Sequence, residues 1–192
     1  MYSKDRIKIL HIDDEVGVLT ITKKILEKID KSFKVYSTGD HKEALDIIRS
    51  GDIDCVVSDF KMPLIDGIEL AEKVKEIANI PFILYTGHGS DEVAFKAFSA
   101  GVDDYLKKEF DIGHYEVLAQ RIRQAVKKEK AKEALKKSET ILKAFINSIP
   151  DSVFLFDNDL NIVTFNESCA DAMKLVPEDM GRNMLDVYPG LL

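Results

Sequence analysis

Apolar residues recur in two alternating rhythms over the first 120 positions. Strand-like runs rich in apolar residues, at 7–12, 33–37, 55–58, 81–85 and 102–106, have the length expected of strands. The run Cys55-Val56-Val57 reads as a central strand buried on both faces. Between the runs the period changes to that of a helix. Residues 16–29 place Val18, Ile21, Ile25, Leu26 and Ile29 at helical spacing. Asp40, followed three residues later by Glu43, opens a second helix that Gly51 ends. Residues 67–78, residues 91–100 and a stretch after Asp111 supply the remaining helices. Such an alternation predicts an α/β fold, a parallel sheet wrapped by helices.

The last of these helices runs on. From Glu116 to about Ser148 there is neither proline nor glycine, and Ala, Glu, Lys and Leu dominate. Leu135, Ser138, Leu142, Phe145 and Ile149 follow alternating steps of three and four, the pattern of a two-helix seam. A single amphipathic helix packed on its own domain fits the same residues. Beyond Asn147 the pattern becomes two strand-like stretches, 148–157 and 160–166, joined at the turn-forming pair Asn158-Asp159. Asn166 suits the N-cap of a following helix, and residues 177–182 read as a helix-entry turn.

At 192 residues the chain has room for one full domain and part of a second. Its 45% hydrophobic and 32% charged residues describe a soluble globular protein, without an apolar run long enough to span a bilayer. Cys55 and Cys169 make neither a disulfide framework nor a metal site, which fits a reducing, cytoplasmic setting. The net charge of −7 is unevenly spread: −7 over residues 1–120, +6 over 121–137 and −6 over 138–192. A basic helix therefore joins two acidic segments. It serves either as a contact for nucleic acid or a membrane surface, or simply as a solvated connector.

The polar residues that follow the strand runs carry the chemistry. Asp13 and Asp14, Asp59, Thr86 and Lys108 each stand at or just past the end of a separate run. In a parallel sheet those ends share one edge, so the residues converge on one crevice. Three carboxylates crowded there need a cation, and hard oxygen ligands in that number suit Mg²⁺. A hydroxyl and an ammonium beside a metal are placed to hold an oxyanion such as a phosphoryl group.

These residues carry a family resemblance. The Asp13-Asp14 pair, Asp59 in Asp59-Phe60-Lys61-Met62-Pro63, Leu84-Tyr85-Thr86-Gly87 and the stretch from Ala100-Gly101 through Asp103-Asp104-Tyr105 to Lys108 resemble the receiver domain of two-component response regulators. The resemblance covers about residues 5–124. It implies a flavodoxin-like, doubly wound sheet of order 2-1-3-4-5. It also implies that Asp59 accepts a phosphoryl group from a histidine kinase, without further enzymatic activity. Mg²⁺ or Mn²⁺ would be held by Asp14, Asp59, the Lys61 backbone carbonyl and, through water, Asp13. Thr86 and Lys108 would bind phosphoryl oxygens, and Tyr105 would report the switch. The family usually has proline after this lysine; Glu109 stands there instead. Lys61 and His88 occupy places where the family varies side chains around the attacking water; exposed loop residues are the plainer reading.

Residues 147–192 resemble the opening of a PAS sensor domain in their strand–turn–strand pattern and their Glu178-Asp179-Met180-Gly181-Arg182 stretch. A partial α+β PAS segment would then follow a helical linker at 125–146. The expected function is a receiver that passes its switch through the linker to a PAS-containing output; the alternative is the front end of a hybrid histidine kinase. Asp103 and Asp104 on the fifth strand and Arg121 and Arg123 on the fifth helix resemble the charge pairs through which some regulators dimerise. The linker seam would add apolar attraction. A flavodoxin would need a glycine- and hydroxyl-rich phosphate loop where Asp13-Asp14-Glu15 stands. An aspartyl-phosphate phosphatase would want an acid at Lys61, and a DNA-binding regulator a helix-turn-helix module. His11, His41, His88 and His114 show no metal spacing.

Overall fold

A computed structural model of the protein describes residues 6–87, 91–109 and 111–188. The chain divides into two compact units, residues 1–131 and 132–192. In the first, β1 (Ile7–Ile12), β2 (Phe33–Thr38), β3 (Cys55–Ser58), β4 (Phe82–Thr86) and β5 (Asp104–Lys107) form a five-stranded sheet. Every pairing is parallel and the order is β2-β1-β3-β4-β5. This is the flavodoxin-like arrangement that the alternation and the resemblance implied. Helices α1 (Val16–Ile29), α2 (His41–Arg49), α3 (Gly67–Ile77), α4 (Asp91–Ser99) and the long α5 (Ile112–Asn147) alternate with the strands. The boundary between the two units falls within α5.

Strand period two explains why there are two cores. Leu10, Ile12, Val56 and Leu84 join Ala44, Ile48, Leu70, Val74 and Ala97 of α2, α3 and α4 in one cluster. The alternate residues Ile9, Val35, Cys55, Val57, Ile83 and Tyr85 join Leu26 of α1 and Leu118, Ile122 and Val126 of α5 in the other. All four residues of β3 are buried, as the apolar run at 55–57 demands.

Two details depart from the sequence pattern. Strand β5 starts at Asp104 rather than at residue 102, because Val102 closes α4 by donating its N–H to the Ala97 carbonyl at 3.0 Å. Asp103 therefore precedes β5, and its carboxylate accepts from the Phe82 N–H at 2.8 Å. In α1 the buried face runs through Leu19, Thr22 and Leu26, which leaves Ile21 exposed despite its place in the apolar period. Aspartates begin two of the helices: Asp40 accepts from the Lys42 and Glu43 N–H groups, and Asp66 forms a capping box with Glu69.

In the second unit, β6 (Phe154–Phe156) and β7 (Ile162–Phe165) form an antiparallel hairpin. Asp157 shapes its turn by accepting from the Asp159 and Asn161 N–H groups. Asn166 caps α6 (Glu167–Met173) at the Cys169 N–H, 3.0 Å, and its amide also donates to the Asp151 carbonyl at 2.8 Å. A 3₁₀ turn at Pro177–Asp179 and α7 (Met184–Val187) complete the unit. Its small core gathers Ile162, Cys169, Leu175 and Met184. On α5, Leu135, Leu142 and Phe145 of the seam pattern are exposed.

One glycine is fixed by space alone. A Cβ on Gly67 would lie 2.3 Å from the Asp59 carbonyl oxygen, 2.6 Å from Leu84 Cδ1 and 3.0 Å from Phe60 Cα. The Gly67 N–H also donates to the Phe60 carbonyl at 2.8 Å, so α3 starts directly against the loop after β3. Nothing lies within 4 Å of the same position on Gly17 in α1. Gly67→Ala is therefore expected to lower unfolding free energy by more than about 2 kcal/mol through overpacking. Gly17→Ala should raise it by up to about 1 kcal/mol through helix propensity. Urea unfolding of the two variants checks this pair; equal effects would remove the steric argument.

Candidate functional site

The β1–β3 pairing sets Ile12 opposite Ser58, so Asp13 and Asp59 leave adjacent strand ends together. The Asp59 N–H donates to the Ile12 carbonyl at 2.9 Å, which extends the ladder to the site itself. Asp13 is fully buried and Asp59 nearly so, while Asp14 is exposed. Carboxylate oxygens of Asp13, Asp14 and Asp59 all lie within 4.8 Å of one another.

Lys108 arrives from the far side of the sheet. Its backbone N–H donates to the Thr86 carbonyl at 2.8 Å, which pins the chain just past β5 against the end of β4. Its ammonium reaches Asp13 Oδ2 at 2.6 Å and Asp59 Oδ1 at 3.1 Å, and the side chain is buried. The Asp59 contact is an ion pair without hydrogen-bond geometry, so Asp59 Oδ1 is buried without a hydrogen-bond partner among the described residues. Burial pushes the Asp13 carboxyl above its usual range, and the Lys108 and Glu15 N–H contacts offset that only in part. Burial also works against the Lys108 charge, but Asp13 and Asp59 together outweigh it and hold the ammonium above its usual value.

A cleft of about 360 Å³ opens beside the cluster, lined by Asp14, Glu15, Asp59, Lys61, Met62 and Pro63. Hard oxygen donors, one of them without a hydrogen bond, at the edge of an open cleft fit a divalent cation of the Mg²⁺ type. Thr86 is fully buried at the end of β4. Tyr105 is half-buried in β5 and packs against the α2–α3–α4 core. Lys61 is exposed at the cleft, and His88 lies outside the described residues. The Lys108–Glu109 peptide bond is trans.

The charges read as a dimer face are paired within the chain. Arg121 meets Asp104 at 3.2 Å, Arg123 meets Asp30 at 3.0 Å, and Lys75 meets Asp103 at 2.7 Å. Three residues that motif reading passed over stand close to the cluster or to its lysine. His11 is buried, with neither ring nitrogen hydrogen-bonded among the described residues; burial, then the nearby Lys108 charge, lowers its pKa to about 3. Tyr85 is buried with its ring facing Lys108, and His114 stacks on Tyr85. The available signals were positional: His11 shares the Asp13 side of β1, and Tyr85 directly precedes Thr86.

Comparisons with known proteins agree with this geometry. A family model described as the response regulator receiver domain matches residues 9–123. The chain is 33% identical over 105 residues to the cyclic di-GMP phosphodiesterase response regulator RpfG of Xanthomonas campestris, covering 53% of this chain and 28% of that protein. It is 31% identical over 103 residues to the transcriptional regulatory protein SrrA of Staphylococcus aureus, covering 54% and 42%. The chain thus spans less than half the length of these curated relatives. Among solved structures, a response regulator receiver domain protein from Clostridium thermocellum superposes with a TM-score of 0.59 at 31% identity, covering 65% of this chain and 98% of that one. A CheY-like receiver domain protein from Methanospirillum hungatei gives 0.60 at 26%, covering 66% and 98%.

The Asp13–Lys108 pair generates a pH prediction. Lys108→Met leaves a buried carboxylate without its cation, a change that typically costs about 3–5 kcal/mol. A carboxyl whose folded pKa is raised contributes its stability below the unfolded value and loses it as pH rises through the folded one. In EDTA the variant's deficit should therefore be largest near neutrality and shrink as pH falls toward the carboxylate range. Urea unfolding at pH 7.5 and pH 5 measures it; a deficit independent of pH would assign the loss to packing.

Proposed function

The chain belongs to the response regulator receiver family, and from that we propose that Asp59 is the phosphoacceptor of a two-component phosphorelay, charged by a histidine kinase. The observation that carries this reading is Asp59 itself. It is a nearly buried carboxylate with one oxygen free of hydrogen bonds among the described residues, beside two further carboxylates and a buried ammonium. Asp59 attacks the phosphorus of the donor, a P–O bond forms to the carboxylate, and the bonding pair of the broken bond leaves with the donor group. Lys108, already 3.1 Å from Asp59, supplies positive charge to an incoming phosphoryl oxygen. The Thr86 hydroxyl, at the end of the neighbouring strand, donates to another. Bound Mg²⁺ or Mn²⁺, held by Asp13, Asp14, Asp59 and the Lys61 carbonyl, would neutralise the carboxylates and orient the phosphoryl oxygens. The reading limits the chemistry to acquiring and losing the phosphoryl group; the phosphodiesterase named for RpfG belongs to that protein.

Downstream, the second unit serves as the start of a PAS-type output or sensor segment reached through α5. Its hairpin, its Asn166-capped helix and its Asp179–Arg182 pair at 2.6 Å support this. Tyr105 turns inward as Thr86 moves to the phosphoryl group, and self-association follows through α4, β5 and α5. The exposed row Leu135, Leu142 and Phe145 supplies most of the attraction. Arg121 and Asp104, paired within the chain here, would exchange partners across that face, each rim pair adding about 0–1 kcal/mol and fixing register.

Two measurements bear on these statements. Incubation with acetyl phosphate and Mg²⁺ should add one phosphoryl mass, and Asp59→Asn should abolish it; label persisting on the variant would sink the assignment. In sedimentation, beryllofluoride should convert monomer to dimer. A monomer in both states at high micromolar concentration would refute the self-association.

A further inference from the structure

Tyr85 is only 2% exposed and directly precedes Thr86, yet it takes no part in the acidic cluster. Lys108 Nζ lies 6.0 Å from the centroid of its ring, at the outer reach of cation–π attraction. The same ammonium meets Asp13 Oδ2 at 2.6 Å and Asp59 Oδ1 at 3.1 Å. One cation thus answers to two carboxylates and an aromatic face.

The ring is held in place by the first turn of α5. It stacks on His114 at 5.8 Å with an interplanar angle of 20°. Tyr115 meets it edge-on at 6.5 Å and 61°. His114 is anchored in turn: its N–H donates to Asp111 Oδ1 at 2.9 Å, and its Nδ1 lies 3.9 Å from Glu109 Oε2. Tyr115 is itself buried. A ring packed on these sides cannot swing away from the lysine without displacing α5.

Resting on the phosphoacceptor reading above, we propose that Tyr85, braced by His114 and Tyr115, is a positioning residue for Lys108. A lysine stem has four rotatable bonds and gives up rotamer freedom when its head is fixed. In the resting site the two carboxylates do that fixing. During transfer they are shared with the metal and the phosphoryl group, so their hold on the ammonium weakens. The aromatic face is uncharged and is not titrated by those events, so it keeps the ammonium at the crevice while its anionic partners change. Volume alone would be met by leucine, as Leu26 and Leu118 fill places in the same core cluster. What leucine lacks is the ring face, and phenylalanine retains it.

The test compares Tyr85→Leu, Tyr85→Phe and His114→Ala with the wild type, with acetyl phosphate as donor and Mg²⁺ affinity measured separately by calorimetry. The wild type must first take the label on Asp59; failure there rejects the phosphoacceptor reading and with it this inference. Given labelling, Tyr85→Leu should slow phosphorylation about 3- to 10-fold at saturating Mg²⁺. Mg²⁺ affinity should stay unchanged, and Tyr85→Phe should restore most of the rate. His114→Ala should slow the reaction in the same direction by less, and it decides the matter alone if Tyr85→Leu does not fold. Wild-type rates in the variants that fold would overturn the proposal. So would a Tyr85→Phe variant as slow as Tyr85→Leu, or a loss of rate matched by a loss of Mg²⁺ affinity.

Discussion

Asp13, just past the end of β1, is fully out of contact with solvent, in a place where an isolated carboxylate would cost several kcal/mol. Its cation comes from the opposite side of the sheet, 95 positions along the chain. Strands β3 and β4 lie between β1 and β5, so a long side chain must cross the strand ends to reach it. That one ion pair binds the requirements of the fold together. The parallel order brings the strand ends to one edge, the Thr86–Lys108 backbone bond fixes where the lysine starts, and the buried crevice makes its charge indispensable. The receiver chemistry proposed for Asp59 uses the same ammonium, so the group that makes the resting site tolerable is also the one placed to receive a phosphoryl oxygen.

The aspartates of the chain illustrate how position decides role. Asp40 and Asp66 accept backbone N–H groups at the starts of α2 and α3 and serve as caps. At α1 no side chain caps the helix start. Asp13 accepts from the Glu15 N–H just ahead of that start but turns its other oxygen to Lys108. Gly67 shows the backbone side of the same economy of space. The start of α3 packs so closely on the loop after β3 that a methyl group would push against the carbonyl of Asp59 itself. Packing on one face of the sheet and chemistry at its edge are therefore not separable at this corner.

Much of this was legible from the residues. The strand at 7–12, the helix at 16–29 and the strand at 55–58 are found where periodicity places them, because each is a long or fully buried apolar pattern. The limits of β5 were not legible, since Val102 is apolar but serves the end of α4. Nor was the burial of Thr22 in place of Ile21, a difference of one position on a helix whose broad apolar face has Ile21 at its margin. In the cluster, Asp13, Asp14, Asp59 and Lys108 announce themselves by residue type at strand ends. Tyr85 and His114 do not, because an aromatic residue in an apolar run and a lone histidine on a helix carry no signal until the fold sets them against each other and against Lys108.

The two cysteines acquire a use from where they lie. Cys55 is wholly buried in β3 of the first unit and Cys169 is buried in the small core of the second. Burial raises both thiols above their usual range, so neither offers much thiolate to an electrophile while its unit is closed. A thiol reagent then reads out opening events, and the rate at each sulfur reports the local free energy of the unit around it. The chain carries, in effect, one native clock per unit, able to tell whether the two unfold as a single cooperative block or in succession.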